Sequence, residues 1–182
     1  MRLHQLEHIL RAAGTVADED VLIVIGSQAI LASHPTPPEE LAVSAEADLY
    51  PRDAPEKAES VALLLQYLIT GSLGEFSMFH ETFGYHADGV SPTTAVLPHS
   101  WRERLVRLSN ENTRGVTGLC LSPLDIAISK LAAGRDKDIR YVTALFHHGI
   151  VSSSDVFRLL EELEPQEREL IETRLAIILR AT

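Results

Sequence analysis

Two short apolar runs in the first fifty residues have the pattern of buried β-strands. The first, VLIVI, covers residues 21–25 and stops at Gly26 and Ser27. Continuous runs of β-branched and aliphatic residues are typical of strands that are covered on both faces. The second, LAVSAEADLYP, ends at Pro51, and proline is tolerated mainly where a strand begins, ends or forms a sheet edge. The pattern predicts a strand, a turn, a short helix over 27–33, a proline-rich loop and a second strand.

Helical spacing dominates the N-terminus and the last third of the chain. Leucine and isoleucine recur three to four residues apart over residues 2–13, which indicates an amphipathic helix. Residues 53–71 form a second such pattern, with a proline near the first turn and Gly71 as the expected end. Further helices are predicted at 123–133, 136–147, 153–163 and 165–180, the first of them opened by Ser122 as N-cap and by Pro123.

The middle of the chain has weaker patterns. Residues 71–84, GSLGEFSMFHETFG, show no periodicity and are expected to be irregular. Four short stretches that follow are predicted as strands: YHADGV, TAVLP, RLVRLS and VTGLCLS. The chain as a whole predicts an α+β fold, in which a mixed β-sheet is flanked by helices. We expect an α/β core over 1–121 and a C-terminal helical region over 122–182 that packs on it.

Composition narrows the class of protein. With 182 residues and 45% hydrophobic residues, the chain is long enough to bury its own core. The single cysteine, Cys120, cannot form an internal disulfide, and no apolar run reaches the roughly 18 residues of a membrane span. We therefore expect a cytoplasmic protein with no membrane contact.

The charge is strongly negative but uneven. A net charge of −10 argues against general coating of nucleic acids. Between Arg102 and Arg140, however, the sequence contains eight basic and five acidic residues, which gives this segment a net charge of +3. Such a basic region suits a ligand that carries phosphates, and it is also compatible with an ordinary solvated helix face.

The second strand carries two acids separated by one residue, Glu46 and Asp48. Residues two apart on a strand point to the same face, so the two carboxylates should lie side by side. Their repulsion is relieved by a divalent cation, and two carboxylates together with substrate phosphates are a common way to hold Mg²⁺ or Mn²⁺. The alternative is an exposed strand face with two solvated acids.

The order of these features indicates phosphate chemistry. Gly26 would let a phosphate approach the backbone, and Ser27 would offer a hydroxyl and an amide at a helix N-terminus, where anions bind favourably. A metal held by the acids of the next strand would meet the same phosphates. This arrangement resembles the nucleotidyltransferase superfamily (polymerase-beta-like), whose signature is Gly-Ser or Gly-Gly followed by [DE]-x-[DE] on the next strand.

A second stretch, SPLDIAISKLAAGRDKDIRYVTAL, resembles the AbiEii-type toxin nucleotidyltransferases and the small proteins related to them. The resemblance implies that Lys130 contacts nucleotide phosphates and that Asp138 completes the catalytic set with Glu46 and Asp48. It implies phosphate-binding roles for Gly26, Ser27, Arg135 and Lys137. The alternative for Lys130 is an ordinary lysine whose ammonium extends to solvent from a packed helix.

The third carboxylate of the expected metal site is harder to find. Asp88, on the YHADGV strand, is the candidate metal ligand beside Glu46 and Asp48, and the alternative is a turn acid before Gly89. The HETFGYH stretch lacks the H-E-x-x-H spacing that places two imidazoles one helical turn apart, so it does not predict a zinc site.

The resemblance implies a metal-dependent enzyme that transfers a nucleotide from a nucleoside triphosphate, with Mg²⁺ or Mn²⁺, to an RNA or protein acceptor. It also implies the toxin half of a toxin–antitoxin pair, with a cognate antitoxin as partner. The alternative is a module of the same fold that binds nucleotides or proteins and has lost catalysis.

Overall fold

The structure, a computed structural model, describes residues 1–53 and 69–181. It confirms the predicted α+β class with a mixed sheet. The strands are β1 Val21–Val24, β2 Glu46–Pro51, β3 His86–Gly89, β4 Val106–Leu108 and β5 Thr117–Cys120. The α-helices are α1 Leu3–Ala17, α2 Met78–Phe83, α3 Pro123–Ala133, α4 Asp136–His147, α5 Ser153–Leu160 and α6 Pro165–Ala181, and residues 69–73 are also helical. The 3₁₀ turns are Ser27–Ala32, Glu39–Leu41, Pro92–Thr94, Trp101–Arg104 and Glu111–Thr113.

The sheet has the strand order β3-β2-β1-β5-β4. Strand β1 lies in its centre, antiparallel to β2 and parallel to β5. Strands β2 and β3 are parallel, and β4 closes the opposite edge antiparallel to β5. The central position of β1 explains its uninterrupted aliphatic sequence, because both of its faces are covered.

One face of the sheet is sealed by α1. The Leu10 side chain lies directly over Gly118 of β5, where a Cβ would come within 2.7 Å of Leu10 Cδ1. Cys120 lies on the same face of β5 and is fully buried, which raises the pKa of its thiol to about 12. Thr117 and Leu119 alternate with these residues and are only half-buried. The second face is therefore the more open one.

The C-terminal helices follow the end of β5 after a two-residue connection. Ser122 caps α3 by accepting a hydrogen bond from the Asp125 N–H at 3.2 Å, as its N-cap position predicts. The Asp125 side chain is fully buried and forms an ion pair with Arg104 at 2.6 Å. Gly134 ends α3 with φ +68°, a conformation that favours glycine.

Several local predictions were wrong in extent or type. Helix α1 continues beyond residue 13 to Ala17, where Asp18 ends it in the left-handed conformation, and the helix after Gly26 is a six-residue 3₁₀ turn. Strand β2 begins only at Glu46, after the Glu39–Leu41 turn. Helix α5 stops at Leu160 instead of residue 163.

The middle of the chain departs most from its predictions. TAVLP forms no strand. Residues 92–94, which overlap the start of this stretch, form a 3₁₀ turn. The stretch expected to be irregular contains α2, which is capped by Ser77 and ended by Gly84 at φ +73°. The helix at 69–73 runs through Gly71, so this glycine does not end it, and the rest of that predicted helix, 54–68, lies outside the described residues. Within the described part of the chain, no helix has the length and apolarity that crossing a membrane requires.

Candidate functional site

Four polar side chains form a two-by-two array on the open face of the sheet. Strands β2 and β3 are parallel and in register, so that Glu46 pairs with His86 and Asp48 pairs with Asp88. Because side chains alternate along a strand, these four residues share one face, while Ala47 and Ala87 between them point into the core. The structure thus brings together the acids of the E-x-D motif and the acid of the YHADGV strand.

Burial, together with neighbouring negative charge, raises the pKa of all three carboxylates. Burial raises the pKa of Glu46 most, and the negative charge of Asp48 adds to it. The pKa of Asp48 is raised chiefly by burial, and the charge of Asp88 acts in the same direction. Burial, a hydrogen bond with Glu46 and the charge of Glu46 raise the pKa of Asp88. Burial and charge therefore disfavour the ionised form of these groups, and a cation among them would favour it.

His86 completes the array. Its side chain is only 8% exposed, and its Nδ1 atom has no hydrogen-bond partner among the described residues. One nitrogen of its ring and one carboxylate oxygen each of Glu46 and Asp88 all lie within 4.8 Å of one another. Gly74 borders this cluster, since a Cβ there would lie 3.1 Å from Asp88 Oδ1.

The turn after β1 meets the array at Asp48. A Cβ on Gly26 would lie 2.0 Å from Asp48 Oδ2, so the carboxylate packs directly against the glycine. Ser27 follows at the start of the 3₁₀ turn, and its carbonyl accepts a hydrogen bond from the Tyr141 hydroxyl at 2.9 Å. Tyr141 thereby ties α4 to the turn that follows β1, and burial raises the pKa of its hydroxyl.

Helices α3 and α4 supply the opposite, basic wall. Lys130 Nζ lies 3.1 Å from Asp138 Oδ1 and 4.6 Å from the centre of the Tyr141 ring. Arg135 Nε lies 2.6 Å from the other oxygen, Asp138 Oδ2. Lys137 also lines the cleft, and its charge, like that of Lys130, acts on Asp48.

Asp138 organises this wall. Its side chain is fully buried, and burial alone would raise its pKa, but the hydrogen bonds from Arg135 and Lys130 outweigh burial and lower it. Asp138 is thus an anion held between two cations, and it fixes the position of Lys130. The expectation that Lys130 carries an exposed ammonium was wrong, because only 13% of its side chain is exposed.

The two walls enclose a cleft of about 720 Å³. This volume is in the usual range for small-molecule sites. The side chain of Gln28 lines it while being fully buried, and both its amide atoms lack a hydrogen-bond partner in the described chain. The predicted residues that line the cleft are Gly26, Ser27, Glu46, Asp48, Lys130, Arg135, Lys137 and Asp138. Asp88 lies beside it, in register with Asp48.

The cleft therefore combines an acidic floor, a basic wall and a glycine-serine turn. Residues 1–169 match a family model described as "Nucleotidyltransferase of unknown function (DUF6036)". The chain belongs to this nucleotidyltransferase family. A nucleotide is thus the expected class of substrate, as the superfamily resemblance implied. Comparisons with curated proteins and with solved structures gave no significant match.

Three residues in or beside the cleft of this nucleotidyltransferase were not predicted from its sequence. His86 was considered only with His80 and Glu81, whose spacing does not fit a zinc site, and its true neighbours lie on β2. Tyr141 reaches Ser27 across 114 positions of sequence, which no local pattern can indicate. Gln28 directly follows the Gly-Ser turn, and this position is the sequence signal that could have indicated its place in the cleft.

Proposed function

We propose that this protein is a metal-dependent enzyme that transfers a nucleotide from a nucleoside triphosphate to a hydroxyl group of a second molecule. The observation that carries the proposal is a cleft in which two carboxylates, with a third beside them, lie together with cationic side chains. The acids are Glu46, Asp48 and, beside the cleft, Asp88, and the cations are Lys130, Arg135, Lys137 and Arg140. An acidic floor suits a divalent cation, and a basic wall suits phosphates. A metal–nucleotide complex contains both partners.

The residues of the floor fit a divalent cation. Burial and neighbouring negative charge raise the pKa of Glu46, Asp48 and Asp88, and a cation among them would favour their ionised forms. Oxygen donors of this kind are what Mg²⁺ and Mn²⁺ bind. When bound, such an ion would neutralise phosphate charge and orient the phosphates.

The basic wall would hold the triphosphate. Lys130 is fixed by Asp138 and Tyr141, so its ammonium is already positioned before a ligand arrives. Arg135 and Lys137 are more exposed and line the entrance side of the same wall. Positive charge at these positions would stabilise the negative charge that develops on the leaving pyrophosphate.

The reaction would proceed by in-line displacement at the α-phosphorus. An acceptor hydroxyl oxygen forms a bond to this phosphorus, and the bond to the oxygen that bridges the α- and β-phosphates breaks. The hydroxyl proton passes to a water molecule in the cleft. Pyrophosphate leaves with the electron pair of the broken bond.

The acceptor follows from resemblance alone. The similarity of the α3–α4 stretch to AbiEii-type toxins leads us to propose an RNA or protein acceptor and a role as a toxin with a cognate antitoxin. A module that has lost catalysis is the competing function. The position of Asp88 beside Asp48 supports catalysis, because the absence of a third acid there would have favoured the inactive alternative.

Calorimetry tests the binding part of the proposal. Non-hydrolysable nucleoside triphosphates should bind in the presence of Mg²⁺ or Mn²⁺ and much more weakly in EDTA. Lys137→Ala should weaken binding by about tenfold, the loss of one charge-assisted hydrogen bond. Arg180→Ala, an exposed cation on α6, is the matched control and should bind as the wild type does. Absence of heat for every nucleotide would contradict the proposal.

A further inference from the structure

His86 is placed in the acidic array although its own hydrogen-bonding needs are not met there. It is 8% exposed and sits opposite Glu46 in the β2–β3 register. Its Nδ1 atom is buried without a hydrogen-bond partner in the described residues. Leaving a buried polar atom without a partner destabilises the folded chain. The position therefore suggests that a ligand satisfies the imidazole.

The neighbours of the ring restrict what that ligand is. The His86 ring lies beside the ring of His80, with 4.6 Å between the ring centres. A nitrogen of His86 lies within 4.8 Å of oxygens from both Glu46 and Asp88. Two anionic oxygens and an aromatic nitrogen that converge on one point are a ligand set for a metal ion, and they are a poor set for an anion.

We propose that His86 is a nitrogen ligand of a cation held together with Glu46 and Asp88, and that this nitrogen makes the site prefer a first-row transition ion such as Mn²⁺ over Mg²⁺. The inference rests on the metal site of the proposed function and does not depend on the transfer reaction. It is distinct from an all-carboxylate site at Glu46, Asp48 and Asp88, in which His86 would remain without a partner.

The spacing of the three ligand atoms is close to what an ion requires. Metal–ligand bonds of about 2.0–2.2 Å place two ligand atoms at most about 4.4 Å apart. The three ligand atoms lie within 4.8 Å of one another, so at most a small movement of the side chains brings them to these separations. Parallel pairing of β2 with β3 holds the two backbones in place during that movement.

Donor type determines the selectivity. Mg²⁺ binds oxygen donors and keeps most of its water, whereas imidazole suits transition ions. Mn²⁺ accepts both kinds of donor, and affinity for a mixed site generally rises further along the first transition row. A single imidazole in an otherwise acidic site is therefore sufficient to make the site bind Mn²⁺ more tightly than Mg²⁺.

Electron paramagnetic resonance of Mn²⁺ tests the proposal without nucleotide. Titration of the full chain measures bound Mn²⁺ from the loss of the free-ion signal, and competition with Mg²⁺ gives the preference. Spin-echo modulation from ¹⁴N reports whether nitrogen ligates the ion. Protein with ¹⁵N-labelled histidine folds as the wild type does. In its spectrum, the ¹⁴N modulation should be replaced by the ¹⁵N pattern.

Two variants assign the nitrogen to one residue. His86→Asn offers an oxygen in place of the nitrogen, so we expect the nitrogen modulation to vanish and Mn²⁺ affinity to fall by about tenfold or more. His147→Asn, at an exposed histidine on α4, should retain both signals. Circular dichroism confirms folding of each variant, and the labelled wild type reports histidine ligation whether or not His86→Asn folds.

Three outcomes overturn the inference: no bound Mn²⁺ in the wild type, no histidine modulation, or unchanged modulation in His86→Asn. Its failure is distinguishable from failure of the proposed function. Metal-dependent nucleotide binding without nitrogen ligation would contradict only the role of His86. Nitrogen-ligated Mn²⁺ in a protein that binds no nucleotide would contradict only the transferase proposal.

Discussion

The Asp48 carboxylate occupies the space in which any larger residue at position 26 would place its Cβ, because that atom would lie 2.0 Å from Asp48 Oδ2. The backbone of Gly26 has φ −76°, which every residue type adopts, so the glycine is not required by its conformation. It is required because β1 and β2 bring the turn and the acid together. The Gly-Ser turn and the acid-x-acid motif are thus in direct contact.

Gly26→Ala should displace Asp48 while leaving the fold intact. The added methyl group overlaps the carboxylate, so Mn²⁺ and nucleotide binding should weaken by at least about tenfold, the effect expected when a ligand loses its position. Calorimetry and circular dichroism measure the two properties. Gly71→Ala is the control, since a Cβ there meets nothing within 4 Å. Unchanged metal and nucleotide binding in Gly26→Ala would contradict the contact.

Asp48→Asn should raise the thermal midpoint of the protein in EDTA at neutral pH. The substitution removes one of three adjacent negative charges and supplies an amide donor to the remaining carboxylates. Relief of about 1 kcal/mol corresponds to a rise of roughly 2–4 °C in a protein of this size. Calorimetric melting compares it with Asp20→Asn, an exposed acid before the start of β1. A lowered midpoint specific to Asp48→Asn would show that the carboxylates do not repel one another.

Asp138→Asn should destabilise the protein at neutral pH and less so in acid. The native pKa of Asp138 is lowered, so its stabilisation is present above the unfolded value of about 3.9 and is lost as the pH falls through the native value. At neutral pH we expect a loss of about 3 kcal/mol, the lower end for a broken buried ion pair, since Arg135 is largely exposed.

Urea unfolding between pH 3 and pH 7 measures the difference in free energy between Asp138→Asn and the wild type. The gap should narrow steadily toward the acid end. Asp136→Asn, an exposed acid two residues away in the first turn of α4, serves as the control. A gap that is independent of pH would mean that Asp138 contributes through packing and not as an anion.

Gln28→Met should stabilise the protein without ligand and weaken nucleotide binding. The side chain of Gln28 is fully buried, and both of its amide atoms lack a hydrogen-bond partner in the described chain. An apolar side chain of similar length removes the free-energy cost of burying these unpaired polar atoms. We expect about 1–2 kcal/mol of added stability in the ligand-free state, within the range for one unsatisfied polar group. Thermal melts with and without nucleotide separate the two effects. Equal stabilisation in both states would show that Gln28 does not contact the ligand.

Local sequence patterns were sufficient to predict the strand and the helix that contribute Glu46, Asp48 and Lys130 to the cleft. The parity of Glu46 and Asp48 is a consequence of strand geometry, and the structure places both on one face as period two requires. Helix α3 begins at Pro123 because Ser122 caps it, a signal that is complete within four residues. Lys130 could be placed on this helix for the same reason.

What local patterns could not provide is pairing across long sequence separations. The register of β2 with β3 decides that His86 joins Glu46, and it involves residues 40 positions apart. The ion pair that removes Lys130 from solvent depends on how α4 turns back after Gly134. Helix α2 was missed because it is only six residues long, although Ser77 and Gly84 mark its ends.

Transfer of label from nucleoside triphosphates most directly tests the claim that the acidic floor performs nucleotidyl transfer. Triphosphates labelled with ³²P at the α- or the γ-position are incubated with Mn²⁺ or Mg²⁺, total RNA and a protein extract. The wild type and Asp20→Asn should transfer the α-label to an acceptor and release the γ-label as pyrophosphate, while Asp48→Asn should lose at least about a hundredfold in rate. Transfer of the γ-label, or equal α-label transfer by Asp48→Asn, would contradict the account.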